Sequence, residues 1–242
     1  MIDAVVRSRI ERFWAGEFGC SIAALETPGL RVLVRADPDS AFVFRRGDCC
    51  IWHVPERFRA AVARSLAGQD SVERVFQPAF IAALFGSAVQ VILGPCPIAY
   101  FPETKLQLVA SLPECRRLTE GDRAAVELLA ADCGPVDWDH GGVEFDGHRS
   151  VFGCFADGRL VSAASYEIWG AAIAHVGVAT APAYRGRGFA TSVATAATID
   201  ALRRGLVPQW RTLESNFASI RVGEAIGYVP FAAHFVVRLA PE

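Results

Sequence analysis

The chain contains 242 residues, of which 52% are hydrophobic and 21% are charged, and its formal net charge at pH 7 is −2. This apolar fraction can build a packed core and excludes a disordered chain, and the length suffices for one large or two modest domains. The near-neutral charge excludes a global attraction to nucleic acid or to an anionic membrane, so any basic function must be local.

The N-terminal region predicts a small α/β fold without a membrane span. Apolar residues at positions 2, 5, 6, 10 and 13 have helical spacing, and the charges among them exclude a signal-peptide core. Residues 75–102 carry no charge, but a Gly-Ser pair interrupts them and two prolines lie near their end. Because a spanning helix needs about 20 continuous apolar residues, we expect a short helix, a turn and a buried strand over 88–93.

The seven cysteines are scattered, and no pair has CxxC spacing. This odd number favours reduced thiols in a cytoplasmic protein over a disulfide framework. Cys49, Cys50 and His53 lie close together, but a zinc site needs more ligands and none follow at metal spacing. We therefore expect no metal and a cytoplasmic location.

The second half of the chain predicts an α+β fold with a mixed, mostly antiparallel sheet flanked by helices. We place a boundary near residue 113, which gives an N-terminal α/β region over 1–112 and a second domain over 113–242. Asp157-Gly158 is a strong signal for a two-residue hairpin turn. The polar residues 138–144 indicate either a loop that recognises a substrate or a plain surface loop. The predicted elements are a helix after Thr119, strands over 151–156, 159–169 and 171–180, a helix over 188–204, a strand over 210–215, a helix over 218–226 and a strand over 229–239.

The most informative turn is Arg185-Gly186-Arg187-Gly188-Phe189-Ala190, where a strand passes into a helix. Two glycines let the backbone approach a ligand closely, and a helix start offers N–H groups and partial positive charge, a combination that suits a pyrophosphate. A Rossmann fingerprint has different glycine spacing and follows the first strand of a parallel unit, and a Walker A loop would need Gly-Lys-Ser/Thr. A merely tight turn would explain the glycines but not both arginines.

Two motifs in order resemble the GNAT superfamily of acyl-CoA-dependent N-acetyltransferases. Arg185-x-x-Gly188-x-Ala190, preceded by Pro182-x-Tyr184, resembles the pyrophosphate-binding motif. Asn216-x-x-Ser219, followed by Gly227-Tyr228, is similar to the second cofactor motif. The resemblance covers roughly residues 115–240. Pro208-x-Trp210 narrows it to a subgroup with an extra N-terminal region.

The resemblance implies acetyl-CoA as cosubstrate, held where two neighbouring strands, ending near Thr180 and near Asn216, splay apart. Backbone groups of the first strand would bond pantetheine, and the glycine turn would bond the pyrophosphate. The cofactor-binding residues implied in this way are Val178, Ala179, Thr180, Arg185, Gly186, Arg187, Gly188, Phe189, Ala190, Asn216 and Ser219.

The reaction needs a general base, and we favour His175 on the strand that leads to the turn. An unperturbed histidine is largely neutral at pH 7 and can accept a proton. A core histidine bonded to a backbone carbonyl is an equally open interpretation. Glu167 on the preceding strand is the second candidate base, although a solvated strand residue would explain it as well.

The general acid is less clear, because many GNAT enzymes have a tyrosine seven residues after the asparagine, where this chain has Gly223. Ser219 could bond the sulfur or pantetheine, or it could cap the following helix. We expect an N-acetyltransferase that acts by direct attack of a primary amine in a ternary complex. The acceptor would be a small-molecule or peptide amine, with residues 1–112 helping to form its site. An acyl-CoA-binding regulatory protein with little or no turnover is the alternative.

Overall fold

The computed structural model describes residues 2–103 and 115–241. They form two compact units, neither of which is a continuous stretch of chain. The motif unit comprises Met1–Arg9, Ala99–Arg211 and Ala218–Val229. The N-terminal unit comprises Ile10–Ile98, Thr212–Phe217 and Pro230–Glu242. The predicted boundary near residue 113 lies outside the described residues and stays a prediction.

The N-terminal unit is built on a mixed sheet with helices, as the sequence predicted for this α/β region. Its strands lie in the order β1-β3-β2-β10-β4. Strands β1 and β3 are parallel, whereas β2 is antiparallel to both β3 and β10. The elements are α1 (Ala4–Phe18), α2 (Ile22–Glu26), β1 (Gly29–Arg35), β2 (Ser40–Arg46), β3 (Cys49–Pro55), α3 (Glu56–Leu66), α4 (Val72–Val75), α5 (Pro78–Phe85), β4 (Val89–Tyr100) and β10 (Val229–Leu239).

The uncharged stretch of this region forms α5, a short turn and β4, and the strand continues beyond the predicted residues 88–93. Its helix α5 is only eight residues long. Within residues 2–103 and 115–241, no helix is long and apolar enough to cross a membrane.

The motif unit contains a five-stranded sheet in the order β9-β8-β7-β6-β5. Strands β5 to β8 pair antiparallel in sequence, and β8 and β9 pair parallel. The predicted mixed, mostly antiparallel sheet flanked by helices is confirmed. The elements are β5 (Cys115–Arg117), α6 (Arg123–Cys133), α7 (Pro135–Gly141), β6 (Phe152–Ala156), β7 (Arg159–Trp169), β8 (Ile173–Thr180), α8 (Phe189–Arg203), β9 (Val207–Arg211) and α9 (Phe217–Ile226).

Helices cover both faces of this sheet. On one face the small buried residues Ala194 and Ala197 let α8 lie close to β8 residues such as Val176. On the other face, Leu129 of α6 packs in a cluster with Ala179 of β8. The hairpin predicted at Asp157-Gly158 is confirmed: both residues have positive φ angles, 52° and 75°, which match a two-residue turn between right-twisted strands.

Two elements differ from the sequence predictions. The strand expected over 210–215 is β9, Val207–Arg211. It begins earlier because the Val207 N–H donates to Ala172 O (2.9 Å) and Pro208 O accepts from the Phe101 N–H (3.0 Å). The polar stretch expected as a loop is mostly α7, which begins with Pro135 at its first position and ends before left-handed Gly142, a favourable arrangement for a short helix.

The expectation of reduced thiols is wrong for two cysteines. Cys115 on β5 and Cys154 on β6 are register partners, with Cα atoms 4.0 Å apart, and their sulfurs form a disulfide. Only the strand pairing, which the sequence did not reveal, brings these residues together across 39 positions. Cys20, Cys49, Cys50 and Cys133 are free thiols.

Gly177 in β8 is where α7 approaches the sheet. A Cβ atom there would lie 2.7 Å from Gly142 O and would also collide with Gly141 O. Only a residue without a side chain therefore allows the end of α7 to lie directly on β8.

We expect Gly177→Ala to lower the free energy of unfolding by about 1–3 kcal/mol, because backbone cannot yield cheaply to an added methyl group. Urea unfolding of the purified variant measures this. Gly16→Ala is the control, because nothing lies within 4 Å of its Cβ position and alanine suits a helix better by about 0.5–1 kcal/mol. Equal stabilities of wild type and Gly177→Ala would contradict the contact.

Candidate active site

The central feature of the motif unit is the point where β8 and β9 part. Their parallel pairing comprises three pairs, Ile173↔Val207, Ala174↔Pro208 and His175↔Gln209. Beyond His175, β8 continues to Thr180, and among the described residues this part of the strand pairs only with β7 on its other side, which leaves an open edge over residues 176–180.

The glycine turn follows directly after this open edge. Gly186 and Gly188 have φ angles of 73° and 86°, a region that glycine adopts without strain. Gly188 is the N-cap of α8, and intrahelical bonding begins with the Ser192 N–H, which donates to Gly188 O (3.1 Å). The first N–H groups of a helix have no intrahelical acceptor, so those of Phe189, Ala190 and Thr191 are suited to an anion.

The two arginines of the turn have partners within the protein. Arg185 Nε donates to Thr180 O (3.1 Å), and its Nη2 bonds Asp137 Oδ2 of α7 (2.7 Å). The Arg187 guanidinium lies over the rings of Tyr184 (5.1 Å) and Phe189 (5.5 Å). The structure thus brings all six residues of the turn together, but Arg185 primarily ties the turn to α7.

The pantetheine-binding candidates on β8 lie along the open edge. Ala179 is buried, whereas Val178 and Thr180 are partly exposed. The Ser162 hydroxyl holds this end of the strand, because it donates to Ala179 O (2.9 Å) and lies 2.7 Å from Thr180 Oγ1. Their contact with a cofactor stays a prediction.

His175 lies in the last residue pair that joins β8 and β9. Its ring stacks on Trp169 with centroids 4.6 Å apart, and Arg211 lies over the same indole at 4.6 Å. Burial, with a smaller contribution from the Arg211 charge, lowers the pKa of His175 to about 3. The imidazole is therefore neutral at pH 7, able to accept a proton but a weaker base than an exposed histidine.

Glu167, the second candidate base, is the register partner of His175 on β7. Its carboxylate lies 3.8 Å from Arg149, which also bonds Glu144 (2.8 Å) and Asp146 (3.6 Å). One guanidinium is thus shared by three carboxylates, and Glu167, the one that lies beside His175, is half-exposed.

Trp210 explains why Gly223 replaces the tyrosine expected at that position. The indole lies against α9, and a Cβ on Gly223 would be 2.9 Å from its ring. Trp210 Nε1 donates to Ser219 O (3.1 Å) and Ser219 Oγ (3.2 Å). Ser219 is thereby linked to β9 in the motif unit.

Tyr228 and Asn216 have separate surroundings. Tyr228 is buried beside Trp210, its hydroxyl lies 2.8 Å from Thr198 Oγ1, and burial raises its pKa, so its side chain packs in the core of the motif unit. Asn216 belongs to the N-terminal unit, where its N–H donates to Leu213 O (2.9 Å); its cofactor contact stays a prediction.

A shallow pocket of about 370 Å³ lies beside α6 and α7 in the motif unit. Aromatic and aliphatic side chains form its walls, and three carboxylates face one guanidinium. Its lining residues are Arg123, Val126, Glu127, Ala130, Trp138, Val143, Glu144, Phe145 and Asp146. In the part of the chain that the structure describes, no group of three or more metal-binding side chains is present.

The motif unit thus has an α+β fold in which two parted parallel strands lie beside a glycine turn and a helix N-terminus. Residues 145–233, which run from before β6 into β10, match the family model of the GNAT acetyltransferases. This segment of the chain is therefore similar to the GNAT acetyltransferases.

Solved structures show the same fold. A GNAT-family acetyltransferase from Colwellia psychrerythraea is 17% identical, with a TM-score of 0.53, and the match covers 78% of this chain and 76% of the other. A GCN5-related N-acetyltransferase from Kribbella flavida is 15% identical, with a TM-score of 0.50, and the match covers 67% and 64%. No curated protein matches the sequence.

The lowered pKa of His175 predicts a specific dependence of stability on pH. The unfolded chain binds a proton to this ring near pH 6.5, whereas the folded protein does so only near pH 3. Stability is therefore lost as pH falls from about 6.5 towards 3, by at most about 1.4 kcal/mol per pH unit. We expect His175→Phe to flatten this slope in urea unfolding at pH 4 to 7.

The exposed His148 provides the matched control, since His148→Phe removes an exposed imidazole of the same unit. The slope of this variant is expected to equal that of wild type. A His175→Phe slope indistinguishable from wild type would show that the imidazole is not shielded from protons.

Proposed function

We propose that the protein is an N-acetyltransferase that transfers the acetyl group of acetyl-CoA to a primary amine, by direct attack within a ternary complex. GNAT acetyltransferases use acetyl-CoA. The observation that carries the proposal is the continuity of the open β8 edge with the glycine turn and the start of α8. An extended chain with an anionic end fits this arrangement: the edge suits amide groups, and the helix start suits phosphates.

The turn would hold the pyrophosphate through backbone N–H groups and not mainly through its guanidinium groups. Arg185 already bonds Thr180 O and Asp137, so its role is to fix the turn against β8 and α7. Arg187, which lies over two aromatic rings, is the arginine with a charge available to a phosphate.

The chemistry requires an unprotonated amine and a place for its proton. The amine nitrogen forms the new C–N bond, the thioester C–S bond breaks, and the sulfur leaves as a thiolate. We assign the departing proton to His175, which is neutral at pH 7 and lies where the strands part. Glu167 is the alternative base. Ser219 is the nearest equivalent of an acid on α9, and its hydroxyl accepts from Trp210.

The acceptor side is consistent with an amine that is protonated in solution. Arg149 leaves excess negative charge on Glu144, Asp146 and Glu167, and the pocket adds Glu127 with the aromatic walls Trp138 and Phe145. Carboxylates and aromatic faces both attract organic cations.

Binding to the turn is tested with Gly188→Ala, for which we expect at least a 10-fold loss of acetyl-CoA affinity in calorimetry. A side chain at φ 86° strains the turn and tilts its N–H groups away from a common anion. Gly205→Ala is the matched control: Gly205 has φ 71° and follows the other end of α8. Similar affinity losses in both variants would indicate general destabilisation, and unaltered binding in Gly188→Ala would exclude the turn.

Turnover is tested by the amine-dependent release of CoA thiol with a panel of primary amines. We expect His175→Ala to lower kcat by about 100-fold or more, as for loss of a general base, with the affinity for acetyl-CoA retained. Glu167→Gln is the parallel variant and should retain most activity. A wild type that binds acetyl-CoA but releases no thiol with any amine would favour the regulatory alternative, which the replacement of tyrosine by Gly223 supports.

A further inference from the structure

Two buried polar atoms remain unsatisfied at the register position where β8 and β9 part. His175 Nδ1 and Gln209 Oε1 are both buried, and neither has a hydrogen-bond partner among the described residues. The two residues are register partners in the parallel pair. Paired residues of neighbouring strands project to the same side of a sheet, with the strands about 4.8 Å apart. The two side chains are therefore neighbours.

The Gln209 amide is oriented by a residue outside this pair. Gln209 is fully buried, and its Nε2 donates to the Tyr100 hydroxyl over 2.7 Å. One N–H of its NH₂ group is used on Tyr100, which directs the nitrogen end of the amide there and leaves the carbonyl oxygen, on the other side of the amide carbon, as an acceptor without a partner among the described residues. A buried carbonyl oxygen without a donor costs about 1–3 kcal/mol, so a donor beside it is strongly favoured.

The ring plane of His175 is fixed independently, by the stack on Trp169. Stacking does not decide which nitrogen carries the hydrogen of a neutral imidazole, because that choice follows from the hydrogen bond that the other nitrogen makes. An acceptor next to Nδ1 requires an Nδ1–H donor.

We propose that Gln209 is a positioning residue that holds His175 in the Nδ1–H tautomer, through a direct hydrogen bond that forms when these two neighbouring side chains close the gap between Nδ1 and Oε1. Nε2 then carries the lone pair and is the nitrogen that accepts the substrate proton. This inference rests on the proposed function for its kinetic consequence, but the tautomer itself is independent of turnover.

The charged groups around the ring come from each neighbouring element. Arg211 at the end of β9 disfavours the imidazolium. Glu167 on β7 is its register partner and shares Arg149 with the 143–149 segment. An uncharged acceptor at position 209 orients the ring without adding charge, whereas a carboxylate there would also stabilise the imidazolium.

The tautomer is measured by NMR couplings between the ring nitrogens and ring protons of ¹⁵N-labelled full-length protein at pH 7. His175→Phe assigns the signal. We expect the Nδ1–H form in wild type and the Nε2–H form, or a mixture, in Gln209→Leu. Tyr100→Phe should also release the amide and mix the tautomers, whereas Gln209→Glu should retain Nδ1–H.

In turnover, we expect Gln209→Leu to lower kcat about 10- to 100-fold, as when a metal-ligating histidine loses the group that fixes its tautomer, with the KM for acetyl-CoA little changed. Gln209→Glu should restore part of kcat and move the acidic limb of the kcat profile to higher pH. A substitution that only damages packing would lower kcat in both Gln209 variants without moving the acidic limb of the pH profile. Gln90 is an exposed residue of β4, and Gln90→Leu is the control for the loss of an amide side chain.

An Nε2–H form in wild type would overturn the proposal, since it would mean that the amide presents its NH₂ group. An unchanged tautomer in Gln209→Leu would overturn it as well. If wild type releases no thiol with any amine, the proposed function fails, yet the NMR result still decides whether Gln209 sets the tautomer.

Discussion

The short pairing of β8 with β9 is the constraint on which the motif unit depends. Three residue pairs join these strands, and β8 then continues without a strand on that side among the described residues. An unpaired edge inside a sheet is costly unless another group bonds it, so the fold leaves a place for an extended ligand. The small residues of α8 allow the helix to lie close to the sheet there, and the glycine turn brings its N-terminus to the end of the same edge.

On the β9 side of the gap between β8 and β9, the side chains differ from those that the motif resemblance implies. Trp210 lies flat against α9 at Gly223, and its indole N–H bonds Ser219. The glycine is therefore a packing requirement of the tryptophan, and the missing tyrosine is not a simple loss. A bulky indole and a tyrosine side chain cannot both occupy this space, which explains why the two residue choices occur together in this chain.

Most of what the sequence predicts comes from local patterns. The hairpin at Asp157-Gly158 and the glycine turn depend on positive φ angles that few residue types adopt, so they were visible without knowledge of the fold. The sequence does not predict the start of β9, because Pro208 O accepts a hydrogen bond from the Phe101 N–H, which is distant in sequence. The Cys115–Cys154 bond and the Tyr100–Gln209 contact likewise depend on strands distant in sequence. The position of His175 on the strand before the turn is readable from the sequence, but its burial and its stack on Trp169 depend on the fold.

The close approach of α7 to Gly177 has an electrical consequence. The carbonyl oxygens of Gly141 and Gly142, at the C-terminal and partially negative end of α7, rest on β8. A few residues further along the same strand, the chain enters α8, whose first turn is partially positive. Along this strand the local field thus changes from partially negative, over the face of the sheet at Gly177, to partially positive at the glycine turn. Cationic groups would be favoured at the first position and anionic groups at the second.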